Sequence, residues 1–184
     1  MTTWHYAASA RRFQPWKNGG GETAEIMVSP LGAGFDDFDW RISTAIVAQS
    51  GPFSGFPGVD RVLTVIEGGA MELTVEGRPQ HLDAGSDPFA FPGDAPASAV
   101  LTGPALLDFN VMVRRPLRAT VRRARLAGDA APGALAHLAL LLNDGGGLAR
   151  LDLIDLRAAP DAVRQGLAGL LALEVMILPP AAIP

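Results

Sequence analysis

The 184-residue sequence contains no cysteine, which excludes disulfide bonds, thiolate metal sites and a cysteine nucleophile, and which suits a cytoplasmic protein. Apolar runs near the roughly 18 residues that a membrane span requires are also absent. The first residues lack the basic and apolar regions of a signal peptide. The formal net charge of −4 argues against nucleic acid as a partner, because phosphate binding requires a basic surface. We therefore expect a cytoplasmic protein that binds neither membranes nor nucleic acid.

Histidine is scarce as well, and the three histidines do not form a local metal motif. His5, His81 and His137 are scattered, with no H-x-H or H-E-x-x-H spacing and no carboxylate at ligand spacing. We expect a surface position for His81 and a hydrogen-bonded core or edge position for His137. The sequence therefore predicts no metal and no other cofactor, and a metal centre assembled through tertiary contacts is the alternative.

Two further motifs fall short of a catalytic signature. Ser54 in GPFSGFPG is not in a G-x-S-x-G elbow, because Pro52 occupies the first glycine position. A loop serine that caps backbone groups is favoured instead. The glycine runs at 19–21 and 145–147 lack the G-K-[ST] sequence of a phosphate-binding loop. Neither motif predicts a nucleophile or a phosphate site.

Glycine and proline are abundant and divide the chain into short segments. There are 21 glycines and 15 prolines, and between them lie apolar or alternating runs such as FDWRISTAIVA, RVLTVIEG and AMELTVEG. The best helical window is APDAVRQGLAGLL, but Gly166 and Gly169 weaken it. This pattern predicts an all-β barrel or sandwich with few helices.

The composition changes near residue 115. The aromatic residues and the dense motifs lie before this position, whereas the later sequence is rich in alanine and leucine. We predict a first domain over residues 1–115 that carries the functional pattern. A second domain over residues 116–184 would add a further sheet or half-barrel packed against it.

Polar side chains occur within otherwise apolar rows of three predicted strands. Because side chains alternate along a strand, Arg41 and Ser43 share one face, as do Asp108 and Asn110 in the run LLDFNVMV. Arg61 shares a face with apolar residues of VDRVLTVI. If these rows face a barrel interior, they form a small-ligand pocket whose arginines favour a carboxylate.

The alternative for each arginine is a structural ion pair: Arg61 with Asp60 or Asp108, and Arg41 with Asp39 or Glu25. For the set of polar residues as a whole, the sequence favours a pocket.

Four segments carry a resemblance to a known family: WKNGGGETAEI, FDWRISTAIVAQSGPFSGFPGVDRVLTVIEGG, FAFPGDAP and LLDFNVMVRR. In order and spacing they resemble the HutD/Ves family of cupin-like proteins, specifically from about Trp16 to Arg115. The resemblance implies a bicupin of the RmlC-like type, in which two small β-barrels pack together and the first carries the pocket. It also implies an association with bacterial histidine utilisation or with stress responses.

The sequence departs from a metal-binding cupin where metal ligands would be expected. FPGVDRVLTVIEGG and FPGDAPASAVL take the places of the two cupin motifs, and neither contains histidine. Metal-dependent cupin chemistry is therefore not expected.

Lys17 in WKNGGG is the only lysine of the chain, and it completes the predicted site. We predict that Lys17, Arg41 and Arg61 form the cationic wall of a site for a small acidic metabolite such as urocanate, formiminoglutamate or formylglutamate. The side chains predicted to orient this ligand are Asn18, Thr23, Ser43, Ser54 and Asn110. The alternative for Lys17 is a solvated lysine in a glycine-rich turn.

Three functions fit this pattern. The leading one is a metal-free bicupin that binds a small carboxylate and acts as a sensor or accessory factor in histidine utilisation. The second is a metal-free isomerase or hydrolase with Asp108 as its general base. The third is an interaction protein whose apolar tail EVMILPPAAIP packs across a homodimer seam or against the second barrel. A homodimer is expected only by analogy with cupin folds.

Overall fold

The computed structural model describes residues 3–181, and its regular structure is almost entirely β. The elements in chain order are β1 (His5–Tyr6), a 3-10 helix (Ala8–Ala10), β2 (Gln14–Pro15), β3 (Gly21–Ser29), β4 (Trp40–Val47), β5 (Gly51–Pro52), β6 (Val59–Val75), β7 (Arg78–Leu82), β8 (Phe89–Pro92), β9 (Ala97–Arg114), β10 (Arg118–Arg125), β11 (Ala136–Leu141), β12 (Leu153–Asp155), α1 (Asp161–Gly166) and β13 (Leu171–Leu178). The predicted all-β class with few helices is confirmed.

The chain forms two compact units, and residues 3–11 do not lie in the unit that the sequence predicted. One unit is Arg12–Arg115, and the other combines the described residues on either side of it. The prediction placed residues 1–11 in the first domain. Residues 3–11 lie with the later residues because β1 pairs with β12 and because His5 Nε2 lies 2.7 Å from Asp152 Oδ2.

The Arg12–Arg115 unit contains an eight-stranded sheet in the order β2-β3-β4-β9-β6-β7, with β5 paired to β9 and β8 paired to β6. Strands β6 and β9 are antiparallel and pair along most of their lengths, with register shifts near Glu67 and Gly68. A side chain at Gly68 would collide with the carbonyl of Ala105, since a Cβ there would lie 2.3 Å from its oxygen. Buried apolar side chains such as Leu63, Met71 and Leu106 form the core.

The second unit contains a five-stranded sheet in the order β1-β12-β11-β13-β10. His137 on β11 is almost fully buried and has two partners: its Nδ1 accepts from the Ala131 N–H at 2.8 Å, and its Nε2 lies 2.8 Å from Glu174 Oε1. The other carboxylate oxygen of Glu174 accepts from Arg122 Nε at 2.7 Å. His137 is thus the hydrogen-bonded core residue that the sequence predicted. His81, in contrast, is exposed on β7.

Two details of the fold differ from expectation. Over residues 3–181, the strand pairing closes neither sheet into a barrel, since each strand order runs between two unpaired ends. The predicted helical window yields only the six residues of α1, because the chain turns at Gly169, whose φ is +83°, before β13 begins.

No helix within residues 3–181 is long and apolar enough to cross a membrane. The part of the predicted tail that includes Pro184 lies outside the described residues, whereas its EVMIL segment belongs to β13.

The glycine run after Lys17 permits a close approach of two strands. Gly21 begins β3 opposite Val47 of β4, and a Cβ on Gly21 would lie 2.3 Å from the Ile46 carbonyl oxygen and 3.1 Å from the Trp16 ring. The Trp16 N–H also donates to the Gly21 carbonyl at 2.8 Å. Glycine at this position is therefore required by packing.

We expect Gly21→Ala to lower the free energy of unfolding by about 1–3 kcal/mol, because the added methyl overpacks a site bounded by backbone. Gly51→Ala on β5 is the control, since a Cβ there would have no atom within 4 Å. Urea denaturation of both variants measures the effect. Equal stability of the two variants would show that the collision at Gly21 is relieved without cost.

Candidate functional site

A cavity of about 680 Å³ lies within the Arg12–Arg115 unit, in the size range of small-molecule sites. All of the predicted ligand-binding residues line it: Lys17, Asn18, Thr23, Arg41, Ser43, Ser54, Arg61 and Asn110. Asp108, the predicted general base, lines it as well. The structure thus brings the predicted set together, and binding of a ligand by this set stays a prediction.

Strand register explains why these residues converge. Strand β9 lies between β4 and β6, and Met112 of β9 is opposite Arg41 on one side and Arg61 on the other. Asn110 is opposite Ser43 in the next row of the same face. We call this face, formed by alternate residues of β4, β9 and β6, the cavity floor.

Arg61 is held by aromatic rings. Its guanidinium carbon lies 5.2 Å from the centroid of the Phe53 ring, 5.6 Å from that of Phe56 and 5.1 Å from that of Phe91. Only 6% of the residue is exposed, and Nε has no hydrogen-bond partner among the described residues. Such faces attract a cation through their quadrupoles. Burial lowers the pKa of Arg61 to about 10, an effect that nearby Asp108 opposes, so the side chain is charged at neutral pH.

The ion-pair alternatives have different outcomes for the two arginines. Arg41 Nε donates to Glu25 Oε2 at 2.8 Å, so the predicted pair with Glu25 exists. For Arg61, neither predicted partner lies at ion-pair distance. Asp60 Oδ1 instead accepts from Arg115 Nη1 at 2.6 Å. Arg61 therefore remains a buried cation whose charge is not matched by a direct carboxylate contact within residues 3–181.

Arg41 also touches two other cavity residues. Its guanidinium carbon lies 4.8 Å from the Phe35 ring centroid, and its Nη1 lies 3.5 Å from Ser43 Oγ. The ring of Phe35 lies 5.8 Å from that of Phe56, which contacts Arg61. Phenyl rings therefore connect the two guanidinium groups along one wall of the cavity.

Asp108 is the one buried acid of the cavity. Burial raises its pKa to about 7, although Arg61 and the backbone N–H of Ala45 act in the opposite direction. Asp108 Oδ1 and Asn110 Oδ1 are both buried without a hydrogen-bond partner among the described residues. Unpaired polar atoms of this kind are costly, so their presence beside a cavity indicates a functional site.

The WKNGGG loop contributes at the cavity edge. Lys17 is exposed and makes no ion pair within the described part of the chain, which fits both the predicted cation of the site and the alternative of a solvated lysine. Asn18 Oδ1 accepts from the Gly20 N–H at 3.0 Å, and Thr23 Oγ1 accepts from Trp16 Nε1 at 2.7 Å. The side-chain oxygens of Asn18 and Thr23 thus already accept hydrogen bonds from nearby residues. They are less available to a ligand than the sequence predicted.

Three phenylalanines that line the cavity were not predicted: Phe35, Phe53 and Phe56. A signal for two of them was available, because Phe53 and Phe56 flank Ser54 in GPFSGFPG. Ser54 itself is exposed and contributes its carbonyl oxygen, 3.5 Å from Arg61 Nη1.

A metal-binding cluster is not found in the described range 3–181, where no three His, Asp or Glu side chains gather in a suitable arrangement. Metal independence of the function itself stays a prediction.

We expect Asp108 to titrate near neutral pH. Since its pKa is about 7 in the folded protein and 3.8 ordinarily, the folded state retains a proton that the unfolded state releases between about pH 4 and 7. The stabilisation that comes from this retained proton on Asp108 is fully present below about pH 4 and is lost as the pH rises through 7. The free energy of unfolding of the wild type, relative to Asp108→Asn, should therefore fall over this interval.

Urea denaturation between pH 4 and 8 measures this difference, with Glu72→Gln on the exposed face of β6 as a control that keeps the wild-type profile. A parallel profile for wild type and Asp108→Asn would contradict the assignment.

Comparison with known proteins places the chain in a family. The HutD family model matches residues 8–158. An uncharacterized 21.2 kDa protein of the hutC 3' region of Pseudomonas putida is 46% identical over 98 residues, which is 53% of this chain and 51% of that protein. Protein Ves of Cronobacter sakazakii is 45% identical over 111 residues, 59% of this chain and 60% of that protein. These matches therefore span only about half to three fifths of the relatives' length.

Solved structures match over nearly the whole chain. A conserved protein of unknown function from Pseudomonas aeruginosa PAO1 has a TM-score of 0.73 and 35% identity, and the match covers 96% of this chain and 93% of that one. HutD from Pseudomonas fluorescens SBW25 has a TM-score of 0.71 and 33% identity, and the match covers 94% of each chain. Because the family match extends over most of the sequence and both units, this chain belongs to the HutD family.

Proposed function

We propose that this protein binds a small carboxylate metabolite in the cavity and acts as an accessory or sensor protein in histidine utilisation. The observation that carries the proposal is the row Arg41–Met112–Arg61, which places two buried arginines on one cavity floor. Arginine presents paired N–H donors that match a carboxylate, and it keeps its charge when buried.

The charge distribution of the cavity supports an anionic ligand. Lys17, Arg41 and Arg61 are cations, and among residues 3–181 only Glu25 makes a direct ion pair with one of them. Asp108 is the other acid of the cavity, and its raised pKa means that its negative charge is only partly present at neutral pH. A buried cation without a paired charge is unfavourable, and a bound carboxylate would relieve this cost for Arg61.

The relatives suggest which carboxylates to test. One relative lies in the hutC 3' region of P. putida, and another is HutD of P. fluorescens. The proposed ligands are therefore the acids of histidine breakdown, namely urocanate, formiminoglutamate and formylglutamate. The proposal also includes metal-free binding, a cytoplasmic location and the assignment of the two units to two cupin modules.

A metal-free isomerase or hydrolase is the second candidate, and the state of Asp108 favours it. A carboxyl group with a pKa of about 7 inside a ligand-sized cavity is suited to accept or donate a proton during catalysis. Conversion of any of the three acids by the purified protein, lost in Asp108→Asn, would support an enzyme. Absence of any product would count against it.

Calorimetric titration tests the leading proposal. We expect a Lys17→Gln, Arg61→Met double variant to bind the preferred acid at least about a hundredfold more weakly, because it loses charge-assisted hydrogen bonds worth about 1.5–3 kcal/mol each. Methionine retains an unbranched apolar chain beside the phenyl rings, so that packing is largely kept.

The control is Arg78→Gln, which removes an exposed cation from β7, away from the cavity-lining residues. It should leave the affinity unchanged. Equal affinity in the wild type and the double variant would dismiss the cationic wall.

A further inference from the structure

Two acceptor atoms on the cavity floor lack hydrogen-bond partners. They are Asp108 Oδ1 and Asn110 Oδ1, which lie two residues apart on β9 and face the same cavity. The two residues are only 2% and 9% exposed, so bulk water does not compensate these oxygens freely. A buried acceptor without a donor costs free energy, and a ligand that supplies the donor recovers it.

No donor among residues 3–181 forms a hydrogen bond to either of these two oxygens. Asp108 is opposite Ala45 on β4 and Val65 on β6, so its row is otherwise apolar. Asn110 is opposite Ser43 on β4 and Leu63 on β6, and the Ser43 hydroxyl accepts from Arg41 Nη1 at 3.5 Å. The backbone N–H of Ala45 acts to lower the pKa of the Asp108 carboxyl group, but Oδ1 has no hydrogen-bond partner among the described residues.

The cavity floor therefore carries hydrogen-bond donors at one end and unpaired acceptors at the other. Both arginines lie opposite Met112 in the strand register. The unpaired acceptor oxygens belong to the next two rows of the floor, at Asn110 and at Asp108. Successive rows of one strand face are roughly 7 Å apart. A small molecule is long enough to place an anionic group at the first row and a different group at the next.

We infer that the ligand is an acid that also carries an N–H donor, such as an amide, amidine or imidazole nitrogen, which bonds to the acceptors of Asp108 and Asn110. The site then selects nitrogen-bearing acids over simple carboxylic acids of the same shape. This inference rests on the proposed function, because it assumes that the carboxylate lies at the arginines.

Proton linkage gives the inference a second signature. The charged groups that line the cavity around Asp108 are Arg61 of β6, Arg41 of β4, Glu25 of β3 and Lys17 of the loop. An N–H donor binds best to the carboxylate form of Asp108, which is depleted below pH 7 because burial raises its pKa. Affinity for a nitrogen-bearing acid should therefore rise between pH 5.5 and 7.5, whereas a donor-free acid should not gain in this way.

The test compares two pairs of acids by calorimetry at pH 7.5. The first pair is trans-urocanate and trans-3-(2-furyl)acrylate, in which a furan ring without an N–H group replaces the imidazole ring. The second pair is N-formylglutamate and glutarate, which lacks the formylamino group. We expect the nitrogen-bearing member of the pair that binds to have about ten- to a hundredfold the affinity of its partner.

Variants of Asp108 test whether the preference for nitrogen-bearing acids comes from the cavity floor. Asp108→Leu removes the acceptor and should abolish the preference while leaving the donor-free acid bound. Asp108→Asn keeps an acceptor oxygen and should retain most of the preference but lose its dependence on pH. Glu72→Gln, which removes an exposed carboxylate from β6, is the charge-matched control and should behave as the wild type.

The outcomes separate this inference from the function on which it rests. Equal affinity for both members of a pair, with both lost in Arg61→Met, overturns the inference and leaves the carboxylate site in place. Tighter binding of the donor-free acid also overturns it. No measurable binding of any of the four acids overturns the carboxylate site and this inference together.

Discussion

The site depends on a single buried cation held without a direct ion pair. Arg61 lies among the rings of Phe53, Phe56 and Phe91, and the carboxylate next to it in sequence, Asp60, bonds to Arg115 instead. The rings stabilise the positive charge without neutralising it. The guanidinium therefore remains available to an anion, which an arginine locked in a salt bridge would not be. The neighbouring arrangement of Arg41 with Glu25 is the more ordinary case, in which the partner is already present.

The sequence predicted the floor of this site because strand alternation is a local property. Arg41 and Ser43, or Asp108 and Asn110, lie two positions apart, so their common face follows from chain geometry alone. The alignment of β4, β9 and β6 in register required tertiary structure. The pair of Arg41 with Glu25 was among the predicted alternatives, but the aromatic partners of Arg61 escaped prediction. Whether an arginine meets a carboxylate or an aromatic ring depends on loops, and the loop over residues 53–56 decides it for Arg61.

The fold shows the same division between local and long-range information. Short alternating runs predicted an all-β chain, and the break near residue 115 reflects a change in composition that is visible in the sequence. The location of His5 is different, because it depends on pairing with Ile154 and on Asp152, far along the chain. Nothing in the two-residue strand β1 indicates this partner. The sheets also remain open in the described residues, since barrel closure depends on how strand ends meet and not on alternation.

The pairing of β1 with β12 has a consequence for biosynthesis. Arg12–Arg115 is a continuous segment, so all of the strands that surround the cavity have been translated once that segment leaves the ribosome. His5 can pair with Ile154 only after Ile154 has been translated, which happens much later. Domains generally fold as units during synthesis. The cavity-bearing unit is thus able to assemble first, with its cavity complete before β1 finds its partner strand.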